Sequence, residues 1–130
     1  MERKTASSGS PWENTVGYSR AVRKGPYIAV SGTTAVDQNT GRPEHAGDAY
    51  GQTKLIFQII EQALSMLGAS LNDVVRTRMF VVDIKRDQEA IGRAHQEAFY
   101  ETLPAATMVE IKALIDPDLL VEIEVDAIVG

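Results

Sequence analysis

The sequence predicts an α+β domain in which two helices pack on one face of a mixed sheet. The hydrophobic period changes from that of a strand to that of a helix and back, and this gives the order ββαβαββ. A chain of 130 residues is long enough for one hydrophobic core and too short for two ordinary ones. Since no repeat or long linker interrupts the pattern, we expect one domain over residues 1–130, with residues 1–15 as an N-terminal extension.

The first part of the chain has the pattern of a hairpin followed by a helix. Residues 16–23 alternate as a strand, residues 27–36 are rich in β-forming residues, and Gly32 inside the second strand indicates a bulge or a closely approaching group. A helix is predicted next, with Asp48 as its N-cap and Gly68 as its C′ residue. Its apolar stripe consists of Leu55, Ile56, Ile59, Ile60, Ala63, Leu64 and Leu67.

The second part of the chain predicts a strand, a helix and two further strands. Residues 74–84 are rich in β-branched residues, and the following helix ends at Leu103-Pro104 because the residue before a proline disfavours helical backbone. Residues 105–114 and 119–128 are the last two predicted strands. The apolar face of the second helix carries Ile91, Ala94, Ala98 and Phe99.

Alternation along the last three strands predicts one apolar face, covered by the helices, and one charged face. The predicted covered side has Val75, Met79, Val81, Val109, Ile111, Val121, Ile123 and Val125. The predicted open side has Arg76, Arg78, Phe80, Ala106, Met108, Glu110, Lys112, Glu122, Glu124 and Asp126. Two interpretations stay open at this point: a solvated face, or a face closed off by other subunits where mixed charges pair.

Composition excludes several classes of function. The chain has no cysteine, which removes thiolate nucleophiles, disulfides and cysteine-based zinc sites. Its net charge of −5 gives no general attraction to phosphate, so we expect no nucleic-acid partner. No apolar run approaches the ~20 residues of a membrane span, and the N-terminus lacks the apolar core of a secretory signal. We therefore expect a cytoplasmic protein without a membrane partner.

Four segments, VSGTTAV, ASLNDVVRTRMFVVDI, LPAATMVEI and VEIEVDAI, resemble the Rid family of reactive intermediate deaminases. This family is also called YjgF-like and was formerly described as endoribonuclease L-PSP. The resemblance implies a chorismate-mutase-like fold and a homotrimer whose sheets close into a central barrel, with ligand clefts at the subunit interfaces. It also implies hydrolysis of 2-imino acids to 2-oxo acids and ammonia, with no metal or organic cofactor.

The resemblance also implies which residues contact a small-molecule ligand. The family's Pro-Ala-Arg motif, whose arginine binds the substrate carboxylate, reads Pro104-Ala105-Ala106 here, so the expected cation is absent. Glu122 matches the glutamate that orients the attacking water and is the candidate catalytic residue; a structural ion pair is the alternative. The residues that match ligand-contacting positions are Tyr18, Ser31, Gly32, Ala105, Ala106, Thr107 and Met108. Tyr18 would otherwise be a core aromatic residue.

Three arginines are candidate substitutes for the missing cation: Arg20, Arg76 and Arg78. The alternative is that they pair with carboxylates across strands or subunits. His95 beside the buried stripe is interpreted as a hydrogen-bonded packing residue rather than a catalytic one. His45, near Glu44 and Asp48, is interpreted as part of a solvated loop rather than a metal ligand.

Three functions follow as hypotheses. The first is a hydrolase or deaminase acting on an imine, enamine or related reactive metabolite that is not a standard 2-imino acid, because Ala106 replaces the arginine. The second is a non-catalytic trimer that binds a small ligand and regulates a partner. The third, an RNA-cleaving role, ranks last because the chain is acidic and has no basic run.

Overall fold

The computed structural model describes all 130 residues, and its centre is one six-stranded mixed sheet. The strands are β1 (Arg3–Ala6), β2 (Ala21–Lys24), β3 (Tyr27–Thr33), β4 (Val74–Val81), β5 (Ala105–Glu110) and β6 (Val121–Ile128). The helices are α1 (Pro11–Val16), α2 (Ala49–Met66) and α3 (Ile84–Phe99), with a short 3₁₀ turn at Leu71–Asp73. The strand order is β1-β2-β3-β6-β4-β5, in which only β4 and β5 run parallel. The predicted α+β class and mixed sheet are confirmed.

The two long helices cover one face of the sheet, as predicted, and the hydrophobic core lies between them and the strands. Asp48 caps α2 by accepting a hydrogen bond from the Gly51 amide at 2.9 Å. Gly68, at φ 79°, is the C′ residue. The Gly68 and Ala69 amides donate back to carbonyls of the last helical turn, the hydrogen-bonding pattern of a Schellman motif. None of the helices is long and apolar enough to cross a bilayer.

The prediction of a strand over residues 16–23 is wrong for its first half. Ser10 caps α1 through a hydrogen bond from the Trp12 amide, Pro11 occupies the first helical turn, and Gly17 ends the helix at φ 93°. A serine, a proline at the start and a glycine at the end are helix signals that the alternation obscured. Strand pairing begins only at Ala21, and Ala21–Lys24 pair with an additional strand, β1, that the sequence did not predict.

The other predicted strands are present but shorter. Strand β3 ends at Thr33, β4 at Val81 and β5 at Glu110, while β6 begins at Val121. Residues beyond these ends belong to turns and helix caps; for example, Asp83 accepts a hydrogen bond from the Arg86 amide and begins α3. The bulge predicted at Gly32 is confirmed by a register shift between Val30 and Thr33.

The predicted faces hold for β6 and most of β4 and fail elsewhere. Val75 is 43% exposed, because the register shifts between Val74 and Arg76 and breaks the alternation there. Beyond that point, Arg76, Arg78 and Phe80 lie on the open face opposite the carboxylates of β6, as predicted.

The face assignment of β5 is reversed. Its parallel register pairs Ala106 with Thr77 and Met108 with Met79, and paired residues of parallel strands point to the same side. Ala106 and Met108 therefore lie on the helix-covered side, while Ala105 and Thr107 share the open face with Arg76 and Arg78. The cause is that β5 is an exposed edge strand, in which only Met108 is partly buried, so its apolar alternation does not report a covered face.

Candidate functional site

A cleft of about 380 Å³ lies where the bulge of β3 meets the N-terminal segment and the loop before β6. This volume is in the range of small-molecule sites, at its lower end. Its lining residues are Ser10, Trp12, Val16, Tyr18, Arg20, Gly32, Thr34, Val36, Gly41, Pro43, Ile115, Asp116, Leu119 and Glu122. The structure thus brings together Tyr18, Arg20, Gly32 and Glu122, four residues that the sequence singled out.

Arg20 is the cation of this cleft, and its side chain is firmly positioned. The residue is 8% exposed, and its Nη2 donates to the Gly32 carbonyl at 2.9 Å. The guanidinium carbon lies 5.5 Å from the centre of the Tyr18 ring, within the range of a cation–π contact. Its buried Nε has no hydrogen-bond partner. A buried donor without a partner is costly, and because this nitrogen is closed to solvent, a ligand in the cleft would meet the guanidinium through its other nitrogens.

Glu122 is the carboxylate of the cleft, and its approach explains the glycine on β3. A Cβ atom built on Gly32 would lie 2.7 Å from Glu122 Oε2, closer than real Cβ contacts allow. The absence of a side chain at Gly32 therefore leaves room for the Glu122 carboxylate in this position. Burial raises the pKa of Glu122 above its ordinary value, while the charge of Arg20 opposes this and Glu124 adds to it.

Arg20 and Glu122 both line the cleft, but they do not form an ion pair with each other. Neither belongs to any nitrogen–oxygen ion pair within 4.0 Å. Neither residue therefore forms a structural ion pair within this chain, and pairing across subunits stays a prediction. An unpaired guanidinium beside a carboxylate of raised pKa can bind an anionic group and hold or accept a proton next to it.

The other residues of the first strands have supporting roles. The Tyr18 amide donates to the Glu13 carbonyl at 3.0 Å, which places its ring beside Arg20. Ser31 does not line the cleft; its Oγ donates to the Ser19 carbonyl at 2.7 Å. This bond fixes β3 against the segment that carries Tyr18 and Arg20.

The remaining predicted ligand contacts lie elsewhere in the chain. Ala105, Ala106, Thr107 and Met108 are on β5, at the sheet edge, and do not line this cleft. Arg78 is ion-paired, with Nη1 at 3.2 Å from Asp126 and 3.5 Å from Glu124, so the pairing alternative holds for it. Arg76 lies on the open face of the sheet together with Arg78, outside the cleft. Ala106 is on the other face of the sheet.

Neither histidine belongs to the cleft. His95 Nε2 lies 2.9 Å from Thr77 Oγ1, with its ring between Phe57 and Phe99, and burial lowers its pKa. The interpretation of His95 as a hydrogen-bonded packing residue is confirmed. His45 has a left-handed backbone, at φ 54°, in the loop before α2. No group of three histidine, cysteine or acidic side chains is arranged to hold a metal ion.

Sequence reasoning missed most of the apolar wall of the cleft. This wall is formed by Trp12, Val16, Val36, Pro43, Ile115 and Leu119. Two sequence signals could have indicated it: the helix start at Ser10-Pro11, and the apolar Ile115 directly before the Asp116-Pro117-Asp118 turn. In the structure Ile115 is 80% exposed.

The fold and the cleft define a small α+β protein with a charged, partly apolar cleft. The family model for endoribonuclease L-PSP matches residues 10–129, and the chain belongs to this family, which is the Rid or YjgF family. A crystal structure of Rv2704 from Mycobacterium tuberculosis, a member of the YjgF family, is 48% identical with a TM-score of 0.88. It covers 98% of this chain and 100% of that one.

Two curated relatives match this chain over most of its length. The uncharacterized protein SCO2049 of Streptomyces coelicolor is 40% identical, over 95% of this chain and 90% of that protein. The 3-aminoacrylate deaminase RutC of Acinetobacter baylyi is 36% identical, over 82% of each chain. A relative with a deaminase activity thus matches across most of the fold.

Proposed function

We propose that this protein hydrolyses a C=N bond in a small imine, enamine-derived or related reactive metabolite, without a cofactor. The observation that carries the proposal is the cleft in which Arg20 and Glu122 face the same space without forming an ion pair. Membership of a family that includes a 3-aminoacrylate deaminase supports the reaction class.

In the proposed reaction, water adds to the carbon of the C=N bond while Glu122 accepts one of its protons. That proton then passes to the nitrogen, which gives a carbinolamine. The proton of its hydroxyl group is next transferred to the nitrogen, the C–N bond breaks, and ammonia leaves as the C=O bond forms. Imine and water are thereby converted to a carbonyl compound and ammonia. A carboxylate is suited to this exchange when its pKa is raised towards the working pH, and burial raises the pKa of Glu122.

Arg20 is proposed to take the role that the missing arginine has in the family. A carboxylate held by its guanidinium would lie beside Glu122, on the floor of the cleft. Ala106 is on the opposite edge of the sheet, so Arg20 approaches from another direction than the Pro-Ala-Arg arginine would in the same chain. The proposed substrates therefore differ in shape or orientation from standard 2-imino acids.

The proposal includes a homotrimer in the cytoplasm, with each cleft completed at a subunit interface. The exposure of β5, including Ala105, Ala106 and Thr107, is consistent with an edge that another subunit covers. In such an assembly Thr107 and Met108 would belong to the second wall of the cleft, as the family resemblance implies.

The test is turnover of enamines generated in place from serine or threonine by a dehydratase. Formation of the 2-oxo acid is followed with wild-type protein, Glu122→Gln and the surface control Arg86→Gln. We expect the wild-type and control proteins to form the 2-oxo acid slowly but faster than spontaneous hydrolysis does. Glu122→Gln should not increase the rate above the spontaneous one. If wild-type protein and Glu122→Gln are equally inactive but still bind 2-oxo acids, the absence of the arginine at Ala106 has produced a non-catalytic ligand-binding trimer instead.

A further inference from the structure

Apolar side chains line the cleft in addition to the charged pair Arg20 and Glu122. Trp12 and Val16 are one helical turn apart, so both project from the same face of α1 into the cleft. They are 50% and 68% exposed, although both are large and apolar. Ile115 and Leu119 add apolar surface from the loop before β6.

This wall is fixed in place by the rest of the chain. Strand β1 pairs with β2 over four residues, and the Arg20 amide donates to the Ala6 carbonyl at 2.9 Å. The Glu13 carboxylate, on the inner side of α1, is buried and accepts hydrogen bonds from the amide and the hydroxyl of Ser8. A helix held in this way presents Trp12 without an ordering cost at the moment of binding.

The two sides of the cleft favour different parts of one ligand. Arg20 and Glu122 favour an anionic group with a polar reacting centre, whereas Trp12 and Val16 gain only from apolar surface. A ligand with a single methyl group next to its carboxylate would leave most of a cleft of about 380 Å³ to water.

We propose that α1 makes the site selective for carboxylates that carry an extended or branched apolar side chain. This inference rests on the proposed function for the position of the carboxylate at Arg20. It adds the substrate class: imine or carbonyl compounds that carry a carboxylate and an aliphatic chain longer than a methyl group, bound in another orientation than the family's standard 2-imino acids, with the chain against Trp12 and Val16.

Trp12 is the only tryptophan of the chain, so its fluorescence reports on this wall directly. The experiment is a fluorescence titration with pyruvate, 2-oxobutanoate and 4-methyl-2-oxopentanoate, paired with calorimetry. We expect the dissociation constant to fall about fourfold for each added carbon, or roughly sixtyfold across the series. Binding of the largest acid should also shift or quench the Trp12 emission.

Two variants distinguish the wall from other apolar surface. Val16→Asn keeps the fluorescent probe and should reduce the preference for the largest acid by at least about fivefold. The control Tyr50→Ser, which removes an aromatic ring from the outer helical surface, should leave it unchanged. Equal affinity for all three acids, binding without a change in Trp12 emission, or no binding of the largest acid would overturn the proposal.

The test separates this inference from the proposed hydrolysis. The 2-oxo acids have no C=N bond, so the titration measures binding alone. A protein that binds them with the expected size dependence but shows no turnover would contradict only the hydrolysis, whereas turnover without size dependence would contradict only the role of α1.

Discussion

Replacing Arg20 with glutamine removes the cation of the cleft and retains a polar side chain of smaller reach. The loss has two parts. A bound carboxylate would lose a charged hydrogen bond worth about 1.5–3 kcal/mol, which weakens binding by roughly tenfold to 150-fold. The Gly32 carbonyl would lose its 2.9 Å bond from Arg20, and because Gly32 is only partly buried, the cost in folding stability should be less than the about 1–3 kcal/mol of a fully buried acceptor.

The affinity of Arg20→Gln for 4-methyl-2-oxopentanoate is measured by Trp12 fluorescence, and folding is checked by urea unfolding. The matched control is Arg86→Gln, because Arg86 lies on the surface of α3 and pairs with Asp83 and Asp87. A second variant, Arg20→Lys, keeps the charge and loses the planar fork, so its affinity should fall between the wild-type and Arg20→Gln values. If Arg20→Gln is folded and binds within twofold of the control, Arg20 does not hold the carboxylate.

The same variant makes a prediction about pH. The charge of Arg20 lowers the pKa of Glu122, in opposition to burial. Removing that charge should raise the pKa of Glu122 further, so activity that requires the ionised carboxylate should appear at higher pH than in the wild-type protein. An unchanged pH profile would mean that the two groups do not interact.

Three further predictions concern the groups around Arg20. Gly32→Ala should abolish turnover at a folding cost near the lower end of about 1–3 kcal/mol, because the new Cβ displaces the movable end of Glu122; combining it with Glu122→Gln should cause no additional loss of activity. Burial raises the pKa of Glu122 above 4.5, so the wild-type protein loses stability as pH rises from that value through the raised pKa, and the stability of Glu122→Gln relative to wild type should increase over this range in urea titrations. Glu13 should behave oppositely: burial alone would raise its pKa, but hydrogen bonds from Ser8 and Ser7 lower it below 4.5. The wild-type carboxylate therefore stabilises the fold above that pH, and Glu13→Gln should be destabilising at about pH 7 and less so at about pH 3; a constant difference across that range would refute this.

The fold was predictable from the sequence wherever one face of an element is buried. The stripe of α2 and the alternation of β6 report real burial, since their apolar residues lie in the core. Edge strand β5 has little burial on either side, so its pattern gave the wrong face for Ala106. Only the parallel register with β4, a long-range contact, determines where that residue points.

The candidate site was predictable in its polar part and not in its apolar part. Gly32 and Glu122 were identified by family resemblance, and the structure adds the physical reason, which is the close approach of the carboxylate to the glycine. Arg20 was one of three candidate cations, and sequence alone did not separate it from Arg78, which is ion-paired. Trp12 lies on α1, a helix that the sequence did not predict because the alternation that begins at Val16 obscured it.

The most direct test of the proposed cleft is a crystal structure of the protein with 4-methyl-2-oxopentanoate. We predict a ligand carboxylate oxygen about 2.7–2.9 Å from the Arg20 guanidinium, the 2-oxo carbon beside Glu122, and the branched chain against Trp12. A carboxylate bound beside Ala106 by another group, with no ligand atom in contact with Arg20, would contradict the substitution of Arg20 for the missing arginine.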